Sequence, residues 1–351
     1  MKTNFWKELK KPIMALAPLA NVTDAAFRRV IAKYGKPDVM FTEFVSVDGL
    51  FLCPVRESLP VGKRRNFEEI AFSNGVAHDN PLLYDLQFTE AERPIVAQFF
   101  TARPEMMERA ARFADELGFD GVDINMGCPD RSIEKQGAGA ALIKTPKLAR
   151  ELVVAARKGA PRLPISLKTR IGYNKNEIET WLPELLAEEP VAITLHARTR
   201  KEMSKVPAHW DVVKRAVEIR DELKSETFIL GNGDVLDLYD ARKKAEETGA
   251  DGIMLGKAIF GNPWLFSQRE NNPERSRRII SIEERIQIML EHTKLFEELL
   301  GDVKNFAVMK KHYKAYANGF NGAKELRAKL METKNAQEVE HLVSDFLHSC
   351  Q

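Results

Sequence analysis

The sequence predicts a (β/α)8 TIM barrel followed by an all-helical C-terminal segment. Three observations lead there. Short, nearly continuous apolar runs alternate with longer amphipathic ones, and the alternation repeats eight times before about residue 268. The first turn, Ala17-Pro18-Leu19-Ala20, lacks the glycine fingerprint that a doubly wound sheet usually shows after its first strand. From about residue 281 onward only helical periodicity remains.

The elements follow in order. Residues 13–17 read as the first strand and 24–34 as the helix behind it, with Asp24 or Thr23 as N-cap. The second strand is 39–45. The third, 94–100, precedes a helix over 104–117; the fourth, 121–125, precedes one over 146–158; the fifth, 164–169, one through 181–187. The sixth, 192–196, leads to a helix over 210–223, the seventh, 227–230, to one over 236–248, and the eighth, 252–255, to a short helical turn near Trp264. The segment at about 50–93 breaks the rhythm. It is too long for one plain helix and carries Arg56, Lys63, Arg64 and Arg65, so it reads as an insertion on the barrel. Asn271-Asn272-Pro273 marks a linker. The expected domains are therefore 1–268, the barrel, and 274–351, a small helical bundle.

Composition sets the class. A chain of 351 residues buries a large core without staples, and 44% hydrophobic with 30% charged residues is ordinary for a soluble protein. No run approaches the ~18–20 unbroken apolar residues of a membrane span. The first residues, Met1 to Trp6, carry no apolar signal region. Cys53, Cys128 and Cys350 are far apart and match no zinc spacing. A cytoplasmic monomer that binds no metal and no membrane is the expectation. A net charge of +2 neither implies nor excludes nucleic acid.

In such a barrel the active site lies at the C-terminal ends of the strands. There the sequence delivers Pro18, Glu43, Gln98, Asn125, Lys168 with Arg170, His196 with Arg198, Asn232 with Gly233, and Gly256 with Lys257. Any one of them is explained as a hydrogen-bonded loop residue. Their joint placement at one end of nearly every strand is not what packing alone asks for. The turns Gly231-Asn232-Gly233-Asp234 and Gly256-Lys257 follow strands seven and eight, where barrels often hold phosphate. Glycine lets backbone N–H groups approach an anion, and Lys257 adds charge. Ordinary turns explain either loop alone; the pair points to a phosphorylated cofactor. With no Walker lysine motif and no metal cluster, FMN is the simplest fit.

Asp123-Ile124-Asn125-Met126-Gly127-Cys128-Pro129, followed by Lys135-Gln136-Gly137-Ala138-Gly139-Ala140-Ala141-Leu142, resembles the signature of the tRNA-dihydrouridine synthase family. Thr42-Glu43-Phe44, Leu167-Lys168-Thr169-Arg170-Ile171-Gly172, Leu195-His196-Ala197-Arg198-Thr199 and Gly231-Asn232-Gly233-Asp234 are similar to further blocks of that family, in family order. The resemblance covers about 13–266, and Lys310-Lys311-His312 with 319–327 extends it into the tail. It implies reduction of uridine to 5,6-dihydrouridine in tRNA, with FMN in the barrel mouth and NADPH as electron donor. Hydride would pass from FMN to C6 of the uracil and a proton from Cys128 to C5. A free thiol with a pKa near ~8.5 is mostly protonated at neutral pH and can act as an acid. The rival reading of Cys128 is an inert small apolar residue; its place between Gly127 and Pro129, in a loop expected to close over a base, argues against that. Cys53 and Cys350 read as structural or incidental.

The same resemblance implies that Pro18, Leu19 and Ala20 pack on the flavin through their backbone. Gln98 and Lys168 would address its ring, Asn125 and His196 would surround flavin and uracil, and Asn232, Gly233, Asp234, Gly256 and Lys257 would hold the phosphate end. Arg170 and Arg198 either meet RNA or form salt bridges in the rim. The sequence departs from the family pattern at Leu19, where methionine is usual, and at Lys257, where arginine is common; lysine keeps the charge but loses the bidentate fork. The insertion is also longer than the family leads one to expect.

The tail bears on the partner. Residues 303–334 hold eight basic side chains (Lys304, Lys310, Lys311, Lys314, Lys324, Arg327, Lys329, Lys334) against Glu325 and Glu332, with Tyr313 and Tyr316 interleaved. Alone, such a run reads as a solvated helix face; beside the barrel signature it reads as a footprint for RNA phosphates, with Lys310, Lys311 and Lys314 as the named contacts. Two other readings stay open: a flavin barrel that reduces a small molecule such as a free pyrimidine, and a scaffold that binds RNA without chemistry.

Overall fold

A computed structural model describes residues 4–52, 71, 73–76, 80–267 and 280–349. The basic run at Arg56 and Lys63 to Arg65, the linker at Asn271 to Pro273, and Cys53 and Cys350 lie outside the described residues.

Eight parallel strands form one sheet: β1 (Ile13–Leu16), β2 (Met40–Ser46), β3 (Ile95–Phe100), β4 (Gly121–Met126), β5 (Ile165–Arg170), β6 (Ala192–His196), β7 (Phe228–Asn232) and β8 (Gly252–Leu255). Their order is β1-β8-β7-β6-β5-β4-β3-β2. A parallel bridge between Ala15 and Val39 brings the two ends together, with Leu16 N–H donating to Val39 O at 3.1 Å and Asp38 N–H to Met14 O at 2.9 Å. The sheet is thus a closed barrel. Closure explains the apolar runs, since side chains of both phases are buried. Ile13, Ala15, Ala17, Val39, Phe41, Val96, Leu230 and Met254 fill the interior, and Trp6, from a 3-10 turn at Phe5–Glu8, packs against that layer. Met14 and Leu16 face the surrounding helices instead.

Those helices are α1 (Ala25–Tyr34), α2 (Val47–Leu52), α3 (Pro81–Asp85), α4 (Pro104–Glu116), α5 (Arg131–Lys135), α6 (Pro146–Gly159), α7 (Ile178–Leu186), α8 (Trp210–Glu222) and α9 (Leu238–Thr248). Local chemistry sets their starts. Asp24 caps α1 by accepting from Phe27 N–H at 3.0 Å, Asp237 caps α9 through Asp240 N–H, and Pro104 and Pro146 open α4 and α6, where a missing N–H costs nothing. Helix α2 leads into the insertion and α3 lies within it, and Asn80 Nδ2 donates to Gly49 O and Leu50 O at 3.1 Å each, tying the two together.

The tail forms α10 (Ile282–Leu300), α11 (Met309–Tyr316), α12 (Ala323–Leu330) and α13 (Ala336–Ser349). It docks on α1. Lys33 and Tyr34 both reach Glu291, and Phe27 lies 4.7 Å from the ring of His292 and 4.8 Å from that of His312. Barrel and tail share one apolar cluster, which runs from Phe27, Val30 and Ile31 into Ile286, Met289 and Tyr316.

Candidate active site

The C-terminal ends of the strands enclose a cavity of about 280 Å3. It is lined by Pro18, Leu19 and Ala20 after β1, Asn125 and Cys128 after β4, Lys168 and Arg170 on β5, and His196 and Arg198 at β6. Asn232, Gly233 and Asp234 after β7 and Gly256 and Lys257 after β8 complete the ring. Two roomier clefts, of about 870 and 1330 Å3, open at the other ends of the strands, around Pro164 and Val191 and around Pro12 and Asp38. That face of a barrel serves stability rather than chemistry.

Cys128 is held rather than loose. Asn125 Oδ1 accepts from Gly127 N–H at 3.1 Å and Cys128 N–H at 2.9 Å, Arg170 Nε donates to Gly127 O at 2.8 Å, and Ala140 N–H donates to Cys128 O at 2.9 Å. Gly139, at φ +61°, permits that last approach: a Cβ there would stand 2.7 Å from Cys128 O. The loop expected to close over a base is thus pinned at both of its faces. The side chain packs beside Phe44, Phe100 and Ile133. Burial pushes its thiol pKa up, against the pull of the nearby cations Arg170 and Lys168, so it stays protonated at neutral pH.

Gln98 lies one layer below the cavity. Its Oε1 accepts from Asn125 Nδ2 at 2.9 Å and its Nε2 donates to Asp123 Oδ2 at 2.6 Å, while Ser166 Oγ donates to Asp123 Oδ1 at 2.6 Å. It supports Asn125 and is not among the lining residues. Lys168 makes one long contact, from Nζ to Asn232 Oδ1 at 3.5 Å, while Asn232 Nδ2 donates to Met254 O at 2.8 Å. Burial, then the charge of Arg170, brings the Lys168 ammonium down to about 8, which leaves it mostly charged at pH 7. Burial and the surrounding Lys168, Arg170, Arg198 and Lys257 push His196 down to about 2, so this imidazole is neutral. Arg198 Nη1, which can only donate, lies 3.2 Å from His196 Nε2, so the proton sits on Nδ1.

The two arginines are spent on the fold. Arg198 also donates from Nε to Val206 O at 2.6 Å and pairs through Nη2 with Asp234. Arg170 Nη1 donates to Thr199 O at 3.1 Å and Met203 O at 3.2 Å. Both side chains are buried; Arg198 makes a salt bridge in the rim, with Asp234, and Arg170 binds carbonyl oxygens. Asp234 likewise engages Arg198 and Ala208 N–H, both through Oδ2. What the turn after β7 offers an anion is backbone. Gly233 has φ +130° and Asp234 φ +48°, and neither N–H has a protein acceptor among the described residues. Lys257 stands exposed at the same rim. Such a concave pair of N–H groups beside a cation is an anion cradle. No group of three or more His, Cys, Asp or Glu side chains among the described residues is arranged to hold a metal ion.

The structure corrects three further expectations. Glu43 does not face the cavity: a bulge in β2 between Phe41 and Phe44 shifts the pleat, Thr42 Oγ1 accepts the Gln98 N–H, and Phe44 takes the lining position. Lys304 is no RNA contact, because it is buried between Glu43, at 2.5 Å, and Asp85, at 2.7 Å. Tyr313 and Tyr316 are buried in the core of the tail and have no face to offer a base. Of the three named tail lysines, Lys311 and Lys314 are exposed and Lys310 is half-buried, and Lys311 Nζ donates to Asn21 O at 3.3 Å. Cavity residues that sequence reasoning missed are Phe44, Ser204, Val235 and Met254. Only the bulge and the loop paths bring them there, and neither leaves a signal in composition or period.

A profile described as Dihydrouridine synthase (Dus) matches residues 67–351. "Probable tRNA-dihydrouridine synthase 2" of Bacillus subtilis (strain 168) is 38% identical over 348 residues, covering 99% of this chain and 97% of that one. "Probable tRNA-dihydrouridine synthase" of Staphylococcus aureus (strain MRSA252) is 35% identical over 348 residues, covering 99% and 96%. Among solved structures, morphinone reductase aligns over 75% of this chain and 88% of its own with a TM-score of 0.48 and 11% identity. A shared family across nearly the whole chain agrees with a thiol, a lysine and a neutral histidine gathered at one barrel mouth, and the chain belongs to the dihydrouridine synthase family.

Proposed function

We propose that this enzyme reduces uridine to 5,6-dihydrouridine in tRNA, with FMN as its cofactor and NADPH as the electron donor. The observation that carries the reading is a protonated thiol, Cys128, lining the same cavity as an anion cradle across the barrel at Gly233, Asp234 and Lys257. The residues present fit FMN. The cradle suits a phosphate, the Pro18–Ala20 turn offers a flat backbone wall, and Lys168 places a charge on the cavity floor. When bound, FMN supplies the hydride that goes to C6 of the uracil. Cys128 gives its proton to C5, so that hydride and proton together saturate one C=C bond. His196, neutral and held as the Nδ1–H tautomer, presents a donor and no charge to the bound rings. Arg170 and Arg198 act through the loops they clamp. Lys310, Lys311 and Lys314 supply electrostatic attraction for the RNA backbone.

The test has two arms. Purified protein should carry a flavin spectrum and turn over folded tRNA with NADPH, with the modified base read by mass spectrometry. Cys128→Ala should keep the flavin and lose about 10²–10⁴-fold in rate on tRNA. Wild-type turnover by that variant would remove Cys128 as the acid, and equal turnover of free uridine would favour a small-molecule reductase.

A further inference from the structure

We infer that Asp123 is a positioning residue that anchors the buried end of a hydrogen-bond chain ending at Cys128. It rests on the reading of Cys128 as the acid. A carboxylate only accepts, so each partner of Asp123 must turn a donor toward it. Ser166 Oγ does so at 2.6 Å and Gln98 Nε2 at 2.6 Å. With its amide nitrogen committed, Gln98 can offer only Oε1 to Asn125, whose Nδ2 donates to it at 2.9 Å. Asn125 is then left with Oδ1 facing the loop, where Gly127 N–H and Cys128 N–H need an acceptor and find it at 3.1 and 2.9 Å.

Two of these groups are side-chain amides, each of which fits its site in either of two orientations. Nothing about their own shape chooses between them. The direction is held from both ends, by backbone N–H groups at Gly127 and Cys128 that only donate and by the Asp123 carboxylate, which only accepts. Asp123 and Gln98 are buried, so water does not compete for the choice. Reversing the chain would aim an NH2 group at the N–H of Cys128, leave that N–H without a partner, and shift the thiol at the cavity wall. Catalytic geometry tolerates little displacement, and an offset near 1 Å costs on the order of a hundredfold.

Asp123→Asn keeps the shape and removes the buried one of the two anchors that hold the direction. Three measurements read it. FMN affinity, by fluorescence titration, and the rate of flavin reduction by NADPH should stay within about threefold of the parent, because neither needs the thiol. Re-oxidation of the reduced enzyme by tRNA should slow about tenfold or more, the scale of a lost charged hydrogen bond. In a Cys53→Ala, Cys350→Ala background without cofactor, alkylation of Cys128 by iodoacetamide should change in rate by about threefold or more, which reports the thiol independently of activity.

Gln98→Met cuts the chain one link later, and its loss should not add to that of Asp123→Asn in the double variant, because one chain is broken once. Should Asp123→Asn not fold, Gln98→Met is read by the same assays and stands in for it. Re-oxidation and alkylation both within twofold of the parent, or additive losses in the double variant, would overturn the assignment. If instead Cys128→Ala itself re-oxidised normally on tRNA, the acid reading would fail first, and the alkylation result would still decide whether Asp123 positions the thiol.

Discussion

Replacing Lys304 by methionine should destabilise the protein at neutral pH by about 3–5 kcal/mol, and the loss should shrink in mild acid. Lys304 Nζ sits between Glu43 Oε2 and Asp85 Oδ1, at 2.5 and 2.7 Å, with all three side chains largely buried. Asp24, wholly buried nearby, adds a third carboxylate. Burial, then the charge of Glu43, already raises Asp24 to about 6 and Asp85 to about 7 in the presence of the lysine. Methionine fills the stem's volume but leaves the carboxylates without a counter-ion. The sign follows from proton uptake. A carboxyl whose folded pKa lies above its unfolded value of roughly 3.9 binds more protons folded than unfolded, so its contribution to stability falls as pH rises between those values. Removing Lys304 raises the folded values further, so the defect is greatest above pH 7 and smallest near pH 5. Unfolding entropy of about 2.1 cal/mol/K per residue gives ~0.7 kcal/mol/K for a chain of this length, so the melting temperature should drop by about 4–7 °C at pH 7.5. Differential scanning calorimetry at pH 7.5 and 5.5 measures both numbers. A drop under 1 °C, or one that is equal at the two pH values, would refute the account of Lys304 as the counter-ion that lets the tail dock beside β2.

Three further outcomes are expected. Gly233→Val should weaken FMN binding by about tenfold or more, since a side chain at φ +130° is strained and its Cβ would stand 2.9 Å from that of Ala208; unchanged affinity by fluorescence titration would place the phosphate elsewhere. Neutralising Lys310, Lys311 and Lys314 together should weaken tRNA binding and flatten its salt dependence, by up to about 0.9 in log–log slope for each phosphate left without its lysine, while NADPH oxidation with an artificial acceptor persists. A wild-type slope would make these lysines packing elements. His292 and His312 are buried, and none of their four ring nitrogens has a hydrogen-bond partner among the described residues; burial pushes His312 down to about 3 and His292 well below its usual range. The unfolded chain takes up both protons below roughly pH 6.5, so stability should fall as pH drops below that value, by up to ~1.4 kcal/mol per pH unit for each histidine. Replacing both by phenylalanine should flatten that acid limb in urea titrations, and an unchanged limb would mean other groups carry it.

The sequence by itself determined the barrel and most of its mouth. All eight strands lie within two residues of their expected bounds at each end, and β6 and β8 match them outright, because a parallel strand buried on both faces must be a mostly apolar run. The same rule gathered Asn125, Cys128, Lys168, His196 and the turn at Asn232, since every strand of a parallel barrel ends at one face. Tertiary structure decided what each polar group does there. Glu43 leaves the mouth because one extra residue in β2 reverses the pleat, and a bulge has no signature in hydrophobic period. Lys304 is counted with the basic tail in the sequence and becomes the partner of Glu43 only because the tail folds back across the barrel, 261 residues along the chain. Arg170 and Arg198 turn inward because the loops after β4 and β6 leave carbonyls that need donors. Charge and hydrogen-bonding capacity are properties of a residue and can be read along the chain. The partner that consumes them is set by long-range packing, which is written in no local pattern.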